Sequence, residues 1–238
     1  PLYFTYYAAP SIFEATPMSA PRSGGTVVSI RGANLGGGNA PTCRFVGIGE
    51  VTATYSAAYD SLECAVPAPL DDDTATAIAT TTSATAAPLL VSLNGQQFVG
   101  PLDFSVYEPP NVSTVWPASG ELDASTVVRF SGKHLGGAGE ALSCRVGGGG
   151  GSIVSAALDA SDGSLSCSLP ASSGSGQQDA TLELTANGVD WYVVGSFRYL
   201  DAASLTGVSP ASVSTSVSTV LSITGTGLRG GTHYACRF

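Results

Sequence analysis

The chain has 238 residues, of which 9 are Lys or Arg and 18 are Asp or Glu, giving a net charge of −9. Charged residues make up only 11% of the sequence, against ~25% in an ordinary soluble domain. Phosphate and anionic-lipid binding need clustered cations, so the balance argues against nucleic acid and against a charged membrane surface as partners.

In chain order the local signals are β throughout. Val27, Ser29 and Arg31 alternate with Val28 and Ile30, the period of a half-buried strand. Leu62, Cys64 and Val66 share one face of a second apolar run. Leu89, Val91 and Leu93 run into Asn94-Gly95, a dipeptide that tolerates positive φ twice and predicts a tight type I′ hairpin. Phe98 follows on the returning strand. The succession then begins again, with Leu165, Cys167 and Leu169, then Leu182, Leu184 and Ala186 before Asn187-Gly188, and Trp191 where Phe98 stood. No window shows capped helical periodicity. Thirty Gly and fourteen Pro fit many turns between short strands. No apolar run approaches the ~20 residues that span a bilayer, so direct membrane insertion is not expected of this stretch. No basic segment precedes an apolar one in the manner of a signal peptide.

This recurrence is an internal repeat. Ser23-Gly-Gly-Thr-Val-Val-Ser-Ile-Arg-Gly-Ala-Asn-Leu35 returns as Ala124-Ser-Thr-Val-Val-Arg-Phe-Ser-Gly-Lys-His-Leu135 and as Val217-Ser-Thr-Val-Leu-Ser-Ile-Thr-Gly-Thr-Gly-Leu228. Gly32, Gly132 and Gly225 lie 100 and 93 residues apart, as do Pro17, Pro117 and Pro210, and Phe4, Phe104 and Phe197. The phase predicts the last strand of a preceding unit over residues 1–9, units over 10–107 and 108–200, and the truncated start of a further unit over 201–238. Each unit then holds about seven short strands in ~95 residues, the scale of a β-sandwich.

The order Pro-x-Ser/Ala, Gly-x-x-Val-x-Ile-x-Gly-x-x-Leu, Cys-x-Phe, Leu-x-Cys-x-x-Pro, Asn-Gly and Phe-x-Tyr resembles the IPT/TIG domain, an immunoglobulin-like fold shared by plexins, transcription factors and many surface proteins. The resemblance implies an all-β chain of tandem immunoglobulin-like sandwiches, cut from a larger protein. Adhesion, reception, DNA binding and enzyme-accessory roles all occur on this fold, so it leaves function open.

The cysteines keep the repeat's register as Cys43 with Cys64, Cys144 with Cys167, and Cys236 alone. One disulfide per unit is the simplest pairing, with the partner of Cys236 outside the chain; five buried thiols in a cytosolic protein is the alternative. Disulfides place the protein outside the cell or on its surface. Zinc is disfavoured, since Cys-x-x-Cys and in-register histidines are lacking. Asn111-Val-Ser113 is an N-glycan acceptor in such a protein. Asp71 to Pro88, rich in Thr and Ala, is read equally as an O-glycosylated stretch, a solvated loop or an edge strand.

No catalytic, cofactor or metal site is expected. Gly225-Thr-Gly-Leu-Arg-Gly230 matches a dinucleotide fingerprint, but a strand-like segment follows where a helix N-terminus is needed. Gly147 to Gly151 reads as a flexible linker. Asp71, Asp72 and Asp73 are a weak calcium signal, and Asp159 to Gly163 is turn chemistry. His134 aligns with Asn34 and Gly227 and His233 is also turn-like, so neither histidine belongs to a catalytic constellation. Trp116 replaces Thr16 and Ser209, and reads as packing against a neighbouring unit or as an anchor for a partner or sugar. Arg44, Arg145 and Arg237 recur opposite Cys and Phe, as local ion pairs or as a repeated docking row.

Short connectors, two of the three with proline, stiffen the joints. The expected protein is a non-enzymatic extracellular structural or adhesive rod, in a surface filament or a cell-surface glycoprotein, contacting proteins or copies of itself. A receptor ectodomain and a non-catalytic carbohydrate-binding module of a larger enzyme are the alternatives.

Overall fold

In the first two units the alternating stretches are extended, and their apolar side faces inward. In the computed structural model, residues 6–68, 84–138, 141–173, 176–231 and 234–237 are described. Phe4, Asp71 to Asp73, most of the Thr-rich stretch and His233 lie outside them.

The first unit contains β1 (Ser11–Thr16), β2 (Ser19–Pro21), β3 (Val27–Ala33), β4 (Thr42–Phe45), β5 (Gly49–Thr52), β6 (Thr54–Ser56), β7 (Ser61–Ala65), β8 (Thr85–Ala86), β9 (Leu89–Ser92), β10 (Phe98–Leu102) and β11 (Ser105–Tyr107). One sheet runs β1-β3-β7-β6 and the other β10-β9-β4-β5, with β11 parallel to β2 and antiparallel to β8 at the margin. The second unit repeats this with β12 (Asn111–Trp116), β13 (Ser119–Glu121), β14 (Thr126–Lys133), β15 (Ser143–Val146), β16 (Ser152–Leu158), β17 (Leu165–Leu169), β18 (Gln178–Thr185) and β19 (Tyr192–Leu200). Here β16 is continuous. It pairs with β15 through Ser152 to Ser155 and with β17 through Ala156 to Leu158, joining the two sheets. In the first unit the same strand is interrupted at Ala53, between β5 and β6. A third copy supplies β20 (Ser204–Ser209) and β21 (Ser222–Thr226), paired with each other.

Each of the first two units packs a core of its own. Val28, Ile30, Phe45, Leu62, Leu89 and Val91 are buried in one; Val128, Phe130, Leu165, Leu182, Leu184 and Phe197 are buried in the other. The apolar faces read from the sequence are the buried ones, and each such side chain contributes about 1.5–3 kcal/mol by leaving water. Phe45 meets Phe104 edge-on at 5.0 Å, and Phe197 meets Tyr199 likewise at 5.0 Å.

The recurring glycine has a steric cause. In all three copies the strand pair slips register, between Ile12 and Glu14, Val112 and Thr114, and Leu205 and Gly207. A Cβ on Gly32, Gly132 or Gly225 would lie 2.0, 2.1 or 2.1 Å from the carbonyl oxygen of Ser11, Asn111 or Ser204. Two residues on, Asn34, His134 and Gly227 all take left-handed backbone, with φ of 58°, 59° and 67°. His134 therefore stands where a backbone position tolerates Asn, His or Gly. No helix follows Gly230 among the described residues, whose one helical segment is a 3₁₀ turn at Gly148–Gly150.

Two local readings are corrected. Neither Asn94 nor Asn187 has positive φ, whereas Gly95 and Gly188 do, at 72° and 78°, so the hairpins are not type I′. They are longer loops closed by the asparagine side chain: Asn94 Oδ1 accepts from the amides of Gln96 and Gln97, each at 3.0 Å. Gly147 to Gly151 is a hairpin connection between β15 and β16 rather than a linker, with Gly151 N–H donating to Gly148 O at 2.8 Å.

Gly132→Ala is expected to cost about 2–3 kcal/mol, because its Cβ would force β12 away from β14. Gly149→Ala, where a Cβ meets nothing within 4 Å, is expected to change the melting temperature little. Thermal denaturation of the two variants measures the difference.

Candidate functional site

Cys43 on β4 is bonded to Cys64 on β7, and Cys144 on β15 to Cys167 on β17, with Cα–Cα distances of 6.3 and 6.4 Å. All four are buried. In the first unit the bond ties together strands of the two facing sheets, and the second unit repeats it. Cys236 is exposed and free.

Arg44 and Arg145 are each engaged inside their own unit. Arg44 Nε donates to Glu50 Oε1 at 2.6 Å and its guanidinium lies 3.7 Å from the centre of the Phe98 ring. Arg145 Nε donates to Glu183 Oε2 at 2.6 Å and stacks on Trp191 at 4.3 Å. The aromatic partner is thus the equivalent residue in both units. The carboxylate is not: Glu50 is on β5, on one side of its arginine, and Glu183 on β18, on the other. The hydrogen bond from Arg145 holds the Glu183 carboxyl below its ordinary range, against the opposing effect of burial. Arg237 is exposed, and the structure does not gather the three arginines with Trp116 into one site.

The most developed arrangement lies between the first two units, and it is the one that the sequence did not reveal. The loop between β18 and β19 reaches back to the first unit. Asn187 Oδ1 accepts from the amides of Val189 and Asp190 at 3.0 and 2.9 Å, closing the loop. Its Nδ2 donates to Ser19 O at 3.0 Å and to Asp190 Oδ2 at 2.7 Å. The same carboxylate oxygen accepts from Thr26 Oγ1 at 2.7 Å. Ser19, Thr26 and Asn187 are all buried. Beside them Arg22 Nη1 pairs with Glu108 at 2.7 Å, and the Arg22 amide donates to Tyr107 O at 2.8 Å. Next to this joint Tyr192 is half-buried, and burial, with the Asp190 charge adding to it, pushes its phenol up to about 12. Asn187 was legible as a turn residue only; its second role needs the neighbouring unit in place.

Trp116 is 65% exposed. With Pro117, Glu121, Leu200, Ala203 and Leu228 it lines a groove of about 410 Å³ where the third copy meets the second. Asn111 and Ser113 of the glycan acceptor are exposed at the start of β12. Asp159 and Asp162 bind Arg129, at 3.2 and 2.5 Å, in the turn predicted for them. Among the described residues no group of three His, Cys, Asp or Glu is placed to hold a metal ion, and no helix is long and apolar enough to cross a membrane.

The sequence matches the IPT/TIG domain over residues 10–106 and 110–199. The chain belongs to the IPT/TIG family. Among solved structures it is similar to the full extracellular region of plexin A4, at 16% identity and a TM-score of 0.51, over 94% of this chain and 21% of the plexin chain. It therefore spans about a fifth of that protein, and the likeness is one of fold. SGBP-B of the Bacteroides ovatus mixed-linkage glucan utilization locus, solved in complex with a mixed-linkage heptasaccharide, matches at 17% identity over 77% of this chain and 43% of its own, with a TM-score of 0.29. Among curated proteins no significant match is found.

The ordinary Glu183 carboxyl would protonate in the unfolded chain while the native one stays ionised. The stability it contributes is present above its ordinary pKa and lost as pH falls below it. Glu183→Gln is expected to flatten the acid limb of a melting-temperature profile at that position while lowering stability at neutral pH. Removing a disulfide with paired Cys144→Ser and Cys167→Ser is expected to cost about 3 kcal/mol, read by denaturant unfolding of the oxidised protein and the variant.

Proposed function

We propose that this IPT/TIG chain is a non-enzymatic, extracellular structural or adhesive element, a semi-rigid rod within a surface filament or a cell-surface glycoprotein. The observation that carries the reading is the buried joint of Ser19, Thr26, Asn187 and Asp190. Buried polar groups are stable only with their partners in place, so swinging one unit away from the other costs the hydrogen bonds of this cluster, each worth about 1 kcal/mol net and more where the acceptor is charged. A rod that transmits position or force needs such joints; an enzyme accessory on a loose tether does not. Two buried disulfides favour an oxidising compartment. The low charge leaves a surface of small polar groups suited to lateral contact with proteins or with copies of itself, and Asn111 is exposed as a glycan acceptor must be.

Small-angle scattering of the chain tests the rod. Thr26→Val with Glu108→Gln is expected to broaden the distance distribution without lowering the melting temperature of either unit; an unchanged distribution would remove the joint from the argument. Immunogold labelling of intact source cells with an antibody to residues 108–200 tests the location. Label along surface fibres or at cell–cell contacts is the expected result, and label only after permeabilisation would overturn it. On protein from the source, a mass decrease after enzymatic N-deglycosylation that is absent in Asn111→Gln is expected.

A further inference from the structure

The joint between the first two units leaves its own template on the second. Ser19 and Thr26, which receive the loop of residues 187–190, have Ser119 and Thr126 as their equivalents one repeat later. Ser19 and Thr26 are sealed by that loop, whereas Ser119 and Thr126 are half-buried; Ser119 lines the Trp116 groove, and the Thr126 hydroxyl lies beside Gly120, which lines it too. The boundary itself recurs. A Cβ on Gly37, Gly137 or Gly230, all of positive φ, would lie 3.7, 3.9 or 2.8 Å from the side chain of Tyr7, Tyr107 or Leu200, which hold equivalent positions in the repeat. The left-handed position also returns to the connector: Asn34 Nδ2 donates to Ala9 O at 3.0 Å, and a Cβ on Gly227 would lie 2.5 Å from Ala202 O, the equivalent carbonyl. Equivalent residues thus recur where each copy meets the stretch before it.

We propose that Ser119, Thr126 and the groove under Trp116 form a socket for the Asn-Gly loop of an IPT/TIG unit stacked on unit two. Its occupant is a loop of the residue 187–190 kind: an asparagine amide to reach the Ser119 carbonyl and a carboxylate or amide three residues on to accept from the Thr126 hydroxyl. Asn94 to Gln97 of the first unit shows the same pairing in another loop, since Asn94 Nδ2 donates to Gln97 Oε1. Trp116, where the other copies have Thr16 and Ser209, closes the rim with apolar surface. The socket extends the rod reading but rests on the observed joint, so it stands or falls separately from the cellular location.

The test completes the third copy by its own register, appending residues 145–200 after Cys236, with Trp191→Phe in both copies so that Trp116 is the sole indole. The expected result is emission from Trp116 at shorter wavelength and severalfold weaker acrylamide quenching than in the 238-residue chain carrying the same substitution. Thr126→Arg should reverse both. A folded extended chain whose Trp116 stays as quenchable as before would overturn the socket. Should the extension not fold, a ring-closed peptide of residues 184–193 is added at millimolar concentration to the ¹⁵N-labelled 238-residue chain. Amide shifts at Ser119, Glu121 and Thr126, with Ser19 and Thr26 unmoved because their site is filled, support the proposal. An absence of shifts, or shifts with a β-glucan hexasaccharide and none with the peptide, overturns it.

Discussion

One asparagine amide holds together two levels of the structure. The oxygen of Asn187 closes the loop that joins β18 and β19, and the nitrogen of the same group reaches across to the first unit. The loop must have its exact closed shape for Asp190 to arrive at Thr26, and Asp190 is itself fixed by the Asn187 amide. Local turn geometry and inter-unit geometry are therefore one constraint. Such a cluster is cooperative: with one member gone, a neighbour loses a hydrogen bond inside a buried site, which costs more than the same bond lost in water.

That economy suits a chain with few charges. Apart from Arg22 with Glu108 beside the joint, the ion pairs among the described residues stay within one unit: Arg198 with Asp179 across β18 and β19, Arg129 with the turn at Asp159 and Asp162, Arg44 and Arg145 with a carboxylate and an aromatic face. Most are exposed, and exposed pairs contribute little. The sandwiches are held instead by two separate apolar cores, each crossed by a disulfide where small residues such as Ala15, Ala20 and Ala53 limit the apolar volume. Cross-linking of the unfolded chain then adds what a modest core lacks.

The repeat was legible because its markers answer to backbone geometry, which a sequence records directly. Gly32, Gly132 and Gly225 recur because a carbonyl lies where a side chain would begin, and Asn34, His134 and Gly227 vary together because the position asks only for left-handed backbone. The inward faces were legible for the same reason, period two being a property of the strand. What could not be read were choices made between equivalents. Asn-Gly fits a type I′ turn and an asparagine-closed loop equally well, and the side-chain hydrogen bonds that decide between them lie several residues on. Glu50 and Glu183 answer the same arginine from opposite sides, so no spacing rule links them. The joint was illegible because its halves are 168 residues apart, at Ser19 and Asn187, and each reads locally as an ordinary strand or turn residue.

Variation between copies separates what the fold demands from what a given copy adds. Arginine stacks on Phe98 in one unit and on Trp191 in the next, so an aromatic face is required there and its identity is free. At the position of Trp116 the copies hold Thr, Trp and Ser; the sandwich requires none of them, and the indole belongs to the boundary it overlooks. Boundary contacts that return with each copy, from Tyr7 with Gly37 to Leu200 with Gly230, impose the same step from unit to unit. In repeat proteins the shape of the whole follows from that single step, and stability accumulates from each unit and each interface in turn. Between the first two units that step is held by a joint of four residues, Ser19, Thr26, Asn187 and Asp190.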